Sequence, residues 1–252
     1  KVAFLMDNGL ITAQLFLGAM YGGYVVVPLN VRAGVAQLSY TLDHCDAKVI
    51  FVEDQYIGLL HDAMEGVRSN IRTITLNVDG PLPAFETAAE GQTTEPPTGD
   101  DVALLMYSSG STGKPKAAIH THSSILAHGR NSIEAHQLSS ADRSLLVLPL
   151  YHINAECVTL IPTLLSGGSV VVAHRFDVSR FWDWIDDLHV TWSALVPTII
   201  SELVDWDDPG KEHRQAAFQR IRFLRSSSAP LSPLLHRQFL DKFELPLLQA
   251  MG

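Results

Sequence analysis

The chain has 252 residues, of which 46% are hydrophobic, and it carries a formal net charge of −9 at pH 7. This length and composition suit one large globular domain or two packed lobes. The acidic balance and the lack of a Lys/Arg block count against a nucleic-acid partner or an anionic membrane surface.

Apolar and β-branched runs alternate with segments of helical spacing along the chain. The predicted strands are Val2–Met6, Tyr24–Leu29, Lys48–Val52, Ile71–Leu76, Val102–Tyr107, Ala117–His120, Ser144–Leu148, Ser169–Ala173, Val190–Leu195, Ile221–Arg225 and Leu247–Ala250. The predicted helices are Ile11–Gly22, Val35–Cys45, Tyr56–Val67, Phe85–Ala89, Thr121–His136, Asn154–Leu165, Val178–Leu188, Pro197–Val204 and Ser232–Phe243. Such alternation is typical of βαβ units, so it predicts an α/β fold with mostly parallel sheets.

The cysteines and the longest apolar run predict the redox environment of the protein and whether it spans a membrane. Cys45 and Cys157 lie far apart without metal-ligand spacing, which predicts buried thiols in a reduced, cytoplasmic environment. The apolar run 157–173 is broken by Pro162 and by glycines, and therefore predicts a helix, a turn and a strand, with no membrane span.

The stretch Met106–Ala117 (MYSSGSTGKPKA) follows a predicted buried strand and is rich in Ser, Thr and Gly before Lys-Pro-Lys. Glycine lets backbone N–H groups converge on phosphate oxygens, hydroxyls add short donors, and lysine adds a point charge. A loop for the phosphates of a nucleotide is therefore predicted. Its spacing differs from that of the Walker loop, of the dinucleotide-binding glycines and of the hydrolase nucleophile elbow. The alternative, a Ser/Gly-rich surface linker, does not usually follow a buried strand.

This loop resembles the signature of the adenylate-forming superfamily, which includes the AMP-forming acyl-CoA synthetases, and only Ala117 departs from it, where the family has glycine. The resemblance implies that ATP, Mg²⁺ and coenzyme A are used to activate a carboxylic acid. It also implies two packed α/β lobes, which we place at residues 1–135 and 136–252. Nucleotide contacts are implied for Ser108, Ser109, Gly110, Ser111, Thr112, Gly113 and Lys116, with catalytic roles for Thr112, near magnesium, and Lys116.

The segment Leu148–Ala155 (LPLYHINA) follows a predicted strand and resembles the family segment whose histidine lines the acyl pocket. The resemblance gives His152 a catalytic and pocket role, whereas on its own it would be a loop histidine with a local hydrogen bond. Substrate-pocket residues are then His152, Asn154, Val196, Pro197 and Thr198, although the nearby Trp192 is equally typical of core packing. Amino-acid-activating relatives carry an aspartate in this segment; none is present here, which favours a plain carboxylic acid. Glu156 is predicted to be a solvated helix residue, with a side chain that faces the pocket as the alternative.

The segment Arg225–Leu231 (RSSSAPL) lies between a predicted strand and helix, and it resembles the adenine-binding turn of the family. Without the resemblance it would be an ordinary helix start with Ser and Pro signals. Adenine contacts are implied for Ser227, Ser228, Ala229 and Pro230, and further nucleotide contacts for Met251 and Gly252. No metal ligand is assigned.

The chain starts within a strand-like run without a methionine and ends just after another such run, so we expect a fragment of a longer polypeptide. The resemblance implies that a small C-terminal domain is missing. We consider a homodimer as a candidate assembly. Two alternatives stay open: an acyl-AMP ligase that loads a carrier protein, and a non-catalytic binding module of the same fold. A P-loop phosphotransferase does not fit the loop spacing.

Overall fold

The computed structural model describes residues 1–81, 95–108, 115–207 and 214–250, and within them the chain forms two compact units. The first unit comprises residues 1–126 and 150–152, and the second comprises residues 127–149 and 153–252. The predicted helix Phe85–Ala89 lies outside the described residues. No helix in the described ranges is both long and apolar enough to cross a membrane.

The first unit is built on a sheet in the order β4-β3-β1-β2-β5-β6. Its strands are β1 (Val2–Leu5), β2 (Val26–Pro28), β3 (Val49–Glu53), β4 (Arg72–Leu76), β5 (Val102–Ser108) and β6 (Lys116–Thr121). All described neighbours in this sheet are parallel except β5 and β6, which pair antiparallel. The short connection between β5 and β6 permits such a hairpin, since a parallel pair needs a longer crossover.

The second unit has a parallel sheet in the order β11-β10-β9-β7-β8. Its strands are β7 (Arg143–Leu146), β8 (Ser169–Val172), β9 (Trp192–Leu195), β10 (Phe223–Ser226) and β11 (Leu247–Gln249). The predicted α/β class with mostly parallel sheets is confirmed. Parallel strands end at the same edge of a sheet, so the residues that follow β7, β9 and β10 come together there.

Helices occupy most of the connections between these strands. They are α1 (Leu10–Tyr21), α2 (Val35–Cys45), α3 (Ile57–Met64), α4 (His122–His136), α5 (Ile161–Leu165), α6 (Val178–Asp187), α7 (Pro197–Asp205), α8 (Gln215–Arg220) and α9 (Pro233–Phe243). A 3₁₀ turn at Asp54–Tyr56 precedes α3, and a π-helix at Asn154–Leu160 precedes α5.

Each unit has its own apolar interior. In the first, side chains of β1 and β3 such as Leu5 and Ile50 are fully buried with Leu42 of α2. In the second, α6 buries Phe181 and Trp182, as its amphipathic pattern predicts, and Trp182 packs against Phe243 of α9 at 4.8 Å between ring centroids. Trp192 is also fully buried and stacks on Phe223 at 5.3 Å, which makes it a core residue.

An ion pair between a buried carboxylate and an exposed arginine holds the amino-terminal edge of the second sheet. The Asp142 side chain is 1% exposed and accepts a 2.6 Å hydrogen bond from Nη1 of Arg222. It also accepts bonds from the Ser139 backbone N–H at 2.8 Å and from the Thr191 hydroxyl at 3.0 Å. The starts of β7, β9 and β10 are thus tied to one carboxylate.

Gly168 allows the chain to pass close to the backbone of Asp142 and Thr163 on its way into β8. A Cβ at residue 168 would lie 2.6 Å from the Asp142 carbonyl oxygen and 3.0 Å from that of Thr163. Both are backbone atoms that cannot rotate away, so we expect Gly168→Ala to destabilise the protein by about 1–3 kcal/mol. Urea denaturation measures this change. Gly18→Ala is the matched control, because a Cβ there meets nothing within 4 Å and alanine favours the helix interior. Equal stability of the two variants would contradict the steric argument.

Candidate functional site

The ends of the predicted phosphate loop are fixed by the β5–β6 hairpin. Ser108, the last residue of β5, pairs with Lys116, the first residue of β6, and both are exposed. The predicted nucleotide contacts between them, Ser109, Gly110, Ser111, Thr112 and Gly113, lie outside the described residues. The hairpin therefore presents both ends of the loop at the same end of two paired strands.

Lys116 borders a cavity of about 610 Å³ in the first unit, which is also lined by Tyr107 and His44. The Tyr107 hydroxyl lies 2.7 Å from Nδ1 of His44. Burial raises the pKa of Tyr107 above its ordinary value, so the phenol stays protonated at neutral pH. The phenol that borders the cavity beside Lys116 is thus uncharged.

The segment that carries His152 is attached to the end of β1. The Leu150 backbone N–H donates a 2.8 Å hydrogen bond to the side-chain oxygen of Asn8. The His152 ring packs against Tyr151 with 4.6 Å between centroids, and part of it is exposed. Desolvation of the ring lowers the pKa of His152, which favours a neutral imidazole at pH 7.

In the second unit, two segments predicted separately meet at the carboxyl edge of the sheet. The side-chain amide of Asn154 donates to the Ser227 hydroxyl at 2.7 Å and to the Ser228 hydroxyl at 3.3 Å. Asn154 belongs to the predicted acid pocket, and the serines belong to the predicted adenine turn. The structure thus brings a pocket residue and the turn into direct contact.

The remaining pocket residues lie next along the same edge. The Ser227 backbone N–H donates to the carbonyl of Leu195 at 3.2 Å, and Val196, Pro197 and Thr198 follow directly. Val196 caps α7, Pro197 is its first residue, and Thr198 is exposed. This edge therefore gathers every predicted pocket residue of the second unit.

The predicted adenine turn is open on its outer side. Ser227 is 2% exposed, whereas Ser228, Ala229 and Pro230 are all exposed. Ser228 has φ of 70°, in the left-handed region that non-glycine residues seldom adopt. Met251 and Gly252 lie outside the described residues.

Glu156 is buried in the π-helix, and the prediction that it is solvated was wrong. It is 0% exposed, and neither carboxylate oxygen has a hydrogen-bond partner among the described residues. Burial raises the pKa of Glu156 well above its usual value, so the group is held as the neutral acid. All residues of the π-helix are buried, which a helix with one wet face would not show. π-helices are rare and often occur at functional sites.

Arg225 was given no role from the sequence, although it lies on the segment that resembles the adenine turn. It is 9% exposed, and its Nη1 donates to the Ser227 hydroxyl at 2.9 Å and to the Asn154 side-chain oxygen at 3.5 Å. The sequence signal that could have identified Arg225 is a charged residue within an otherwise apolar strand pattern. Within the described ranges, no group of His, Cys, Asp and Glu side chains is arranged to hold a metal ion.

A family model described as AMP-binding enzyme matches residues 1–252. The chain belongs to the AMP-binding enzyme family. Sulfoacetate–CoA ligase of Cupriavidus necator is 39% identical over 253 residues, which cover 100% of this chain and 48% of that protein. Feruloyl-CoA synthase of an Amycolatopsis species is 32% identical over 254 residues, with 100% and 48% covered. This AMP-binding chain spans about half the length of these curated relatives, and its predicted place in the adenylate-forming superfamily is confirmed.

Solved structures agree with the fold. ATP-bound MatB of Rhodopseudomonas palustris superposes with a TM-score of 0.84 at 24% identity, covering 100% of this chain and 49% of that one. The inhibitor-bound N-terminal domain of FACL13 from Mycobacterium tuberculosis has a TM-score of 0.81 at 26% identity, covering 100% and 61%. The AMP-binding chain thus has the fold of the N-terminal part of these enzymes.

Proposed function

We propose that the protein containing this chain activates a carboxylic acid with ATP and then transfers the acyl group to coenzyme A. The family match along all 252 residues carries this proposal. Relatives named as CoA ligases at 39% and 32% identity support it. The names of these two relatives refer to acids of very different size, sulfoacetate and ferulate, so they leave the acid of this chain open.

In the proposed first step, a carboxylate oxygen of the acid attacks the α-phosphorus of ATP. A new P–O bond forms, the bond to the bridging oxygen breaks, and pyrophosphate leaves with that electron pair. The products are an acyl-adenylate and pyrophosphate. In the second step, the thiolate of coenzyme A attacks the acyl carbon and AMP leaves. Such reactions are accelerated mainly by positioning and by stabilisation of charge.

We assign the β- and γ-phosphates to the loop between Ser108 and Lys116, and the adenine to the turn Ser227–Pro230. The exposure of Ser228, Ala229 and Pro230 supports the second assignment, because a flat ring has to reach these residues from outside. We assign contacts with the acid to Asn154 and Val196–Thr198 of the second unit. For His152 of the first unit we propose the role of a neutral hydrogen-bonding group. Thr112 is proposed as the contact near Mg²⁺, whose role would be to neutralise phosphate charge. We assign no residue of this chain to coenzyme A.

Acid-dependent ATP–pyrophosphate exchange tests the proposal, using the complete natural polypeptide that contains this chain. A panel of short, dicarboxylic, aromatic and long-chain acids should include one class that supports exchange. An acyl-AMP ligase would give exchange but would pass the acid to a carrier protein and not to coenzyme A. ATP binding without exchange for any acid would favour a non-catalytic module and contradict the proposal.

Lys116→Ala is expected to lower the acid-dependent exchange rate about 100-fold, because one charge on the transferring phosphates would be lost. The matched control is Lys48→Ala, which removes an exposed lysine of the same unit that pairs with the exposed Asp46. Exchange by the control should equal that of the wild type. A Lys116 variant as active as the control would remove Lys116 from the site.

A further inference from the structure

Arg225 is a buried cation without a counter-charge among the described residues. It is 9% exposed, and no carboxylate of the described ranges forms an ion pair with it. Burial lowers the pKa of the guanidinium, and no acidic group acts against that effect. An arginine nevertheless stays charged in proteins, so the fold holds an uncompensated positive charge here.

Arg222, three residues earlier in the chain, belongs to the same region of the sheet, but its charge is balanced by a carboxylate. It bonds the Asp142 carboxylate at 2.6 Å, and its Nη2 donates to the carbonyls of His136 and Gln137 at 3.0 and 3.1 Å. Arg225 has only two neutral acceptors, the Ser227 hydroxyl and the Asn154 oxygen. Its Nε is buried and has no hydrogen-bond partner in the described part of the chain. An unpaired buried charge costs several kcal/mol, so it is seldom kept unless something binds it.

The surroundings of Arg225 are positive or neutral. The His136 ring lies beside Phe223, and burial first, then the charges of Arg225 and Arg222, lower the pKa of His136. His136 is therefore neutral, while the Arg222 charge is taken up by Asp142. The positive potential that remains comes from Arg225, and it favours the binding of an anion near the carboxyl end of β10.

The position of Arg225 links this charge to the proposed acid pocket. It lies next to the carboxyl end of β10, and it shares Asn154 and Ser227 with the pocket and the adenine turn. We propose that Arg225 binds a second negatively charged group of the acid, so that the substrates are short acids with a further carboxylate or sulfonate. This rests on the proposed function. Arg225 would then be a specificity-determining residue, since the forked guanidinium suits such planar or trigonal anions.

The test compares acids of matched length in the exchange assay on the complete polypeptide. Malonate, succinate and 3-sulfopropionate are the doubly charged probes, and propionate and butyrate are the singly charged ones. We expect the wild type to prefer the doubly charged acids. Arg225→Gln should lower kcat/KM for them about 100-fold, because a charge-assisted contact is lost. The effects of the same variant on the KM for ATP and on kcat/KM for propionate should be about tenfold smaller than this loss.

Two other outcomes would overturn the proposal. If Arg225→Gln raises the KM for ATP and leaves the preference among acids unchanged, the anion at Arg225 is a nucleotide phosphate. If activity with all acids and the affinity for ATP fall together, Arg225 only positions the turn through Ser227 and Asn154. Arg225→Lys, which keeps the charge, should retain the preference in part, and this variant keeps the test valid if the glutamine variant does not fold.

Calorimetric titration with malonate in the absence of ATP separates this inference from the proposed function. Malonate that binds the wild type and fails to bind Arg225→Gln supports the anion site even if no acid gives exchange. Exchange that is equally fast with propionate and malonate supports the proposed function and overturns the anion site.

Discussion

Replacement of Asp142 by alanine is expected to lower the free energy of unfolding by about 1–3 kcal/mol, because the hydrogen bond from Arg222 to the buried carboxylate would be lost. The Ser139 N–H and the Thr191 hydroxyl would lose an acceptor in the same change. Urea denaturation at pH 7 measures the loss. Asp241→Ala is the matched control, since Asp241 is exposed on α9, and it should change stability by less than about 0.5 kcal/mol.

The same carboxylate should make stability depend on pH. Burial alone would raise the pKa of Asp142, but the hydrogen bonds from Arg222, Ser139 and Thr191 outweigh it, and the pKa is lowered. Ionised Asp142 therefore contributes its full stabilisation above the unfolded pKa of about 3.9, and this contribution is lost as the pH falls through the folded pKa. The difference between wild type and Asp142→Ala should shrink over that acid range. A difference that stays constant down to the lowest measurable pH would contradict this assignment.

Replacement of Glu156 by glutamine is expected to make the protein more stable at neutral and alkaline pH. The folded protein holds Glu156 protonated because burial raises its pKa, whereas the unfolded chain ionises above about 4.3. The free energy of unfolding therefore keeps its full value below a pH of about 4.3. Above that pH it falls by about 1.4 kcal/mol per pH unit until the folded pKa is reached. Glutamine cannot ionise, so this loss should disappear.

Urea denaturation of both proteins from pH 5.5 to 8 measures the effect of Glu156. The two curves of stability against pH should diverge as the pH rises, with the glutamine variant above the wild type. Glu134→Gln, at an exposed position of α4, should follow the wild-type curve. Parallel curves for wild type and Glu156→Gln would mean that Glu156 is ionised in the folded protein.

Much of the fold was predictable because apolar and β-branched runs mark buried parallel strands. The helix Val35–Cys45 was predicted with the bounds that the structure shows, and most other elements differ by a few residues at their ends. Helix α8 was not predicted, since six residues carry too little periodicity to identify. The antiparallel direction of β6 was not predicted either, because a strand pattern states which faces are buried and not which neighbour the strand joins.

The candidate site was predictable only in part. Loop and turn sequences indicated the segments, whereas the contact of Asn154 with Ser227 joins residues 73 positions apart, and no local pattern contains it. The burial of Glu156 was missed because a charged residue at a helix start is normally solvated. The missing counter-charge of Arg225 also depends on tertiary structure, since only the assembled sheet shows which carboxylates lie within reach.

The π-helix Asn154–Leu160 changes how this region would respond to the deletion of one residue. A π-helix can be regarded as an α-helix that carries one inserted residue. Loss of a single codon within it would let the backbone relax to ordinary α geometry with its hydrogen bonds intact. Seven residues in π geometry and six in α geometry turn through nearly the same angle, so the following helix would keep its direction relative to Asn154. The same loss within an ordinary helix such as α6 would turn its two ends by about 100° relative to each other. A one-residue deletion should therefore be accommodated better within the π-helix than within α6.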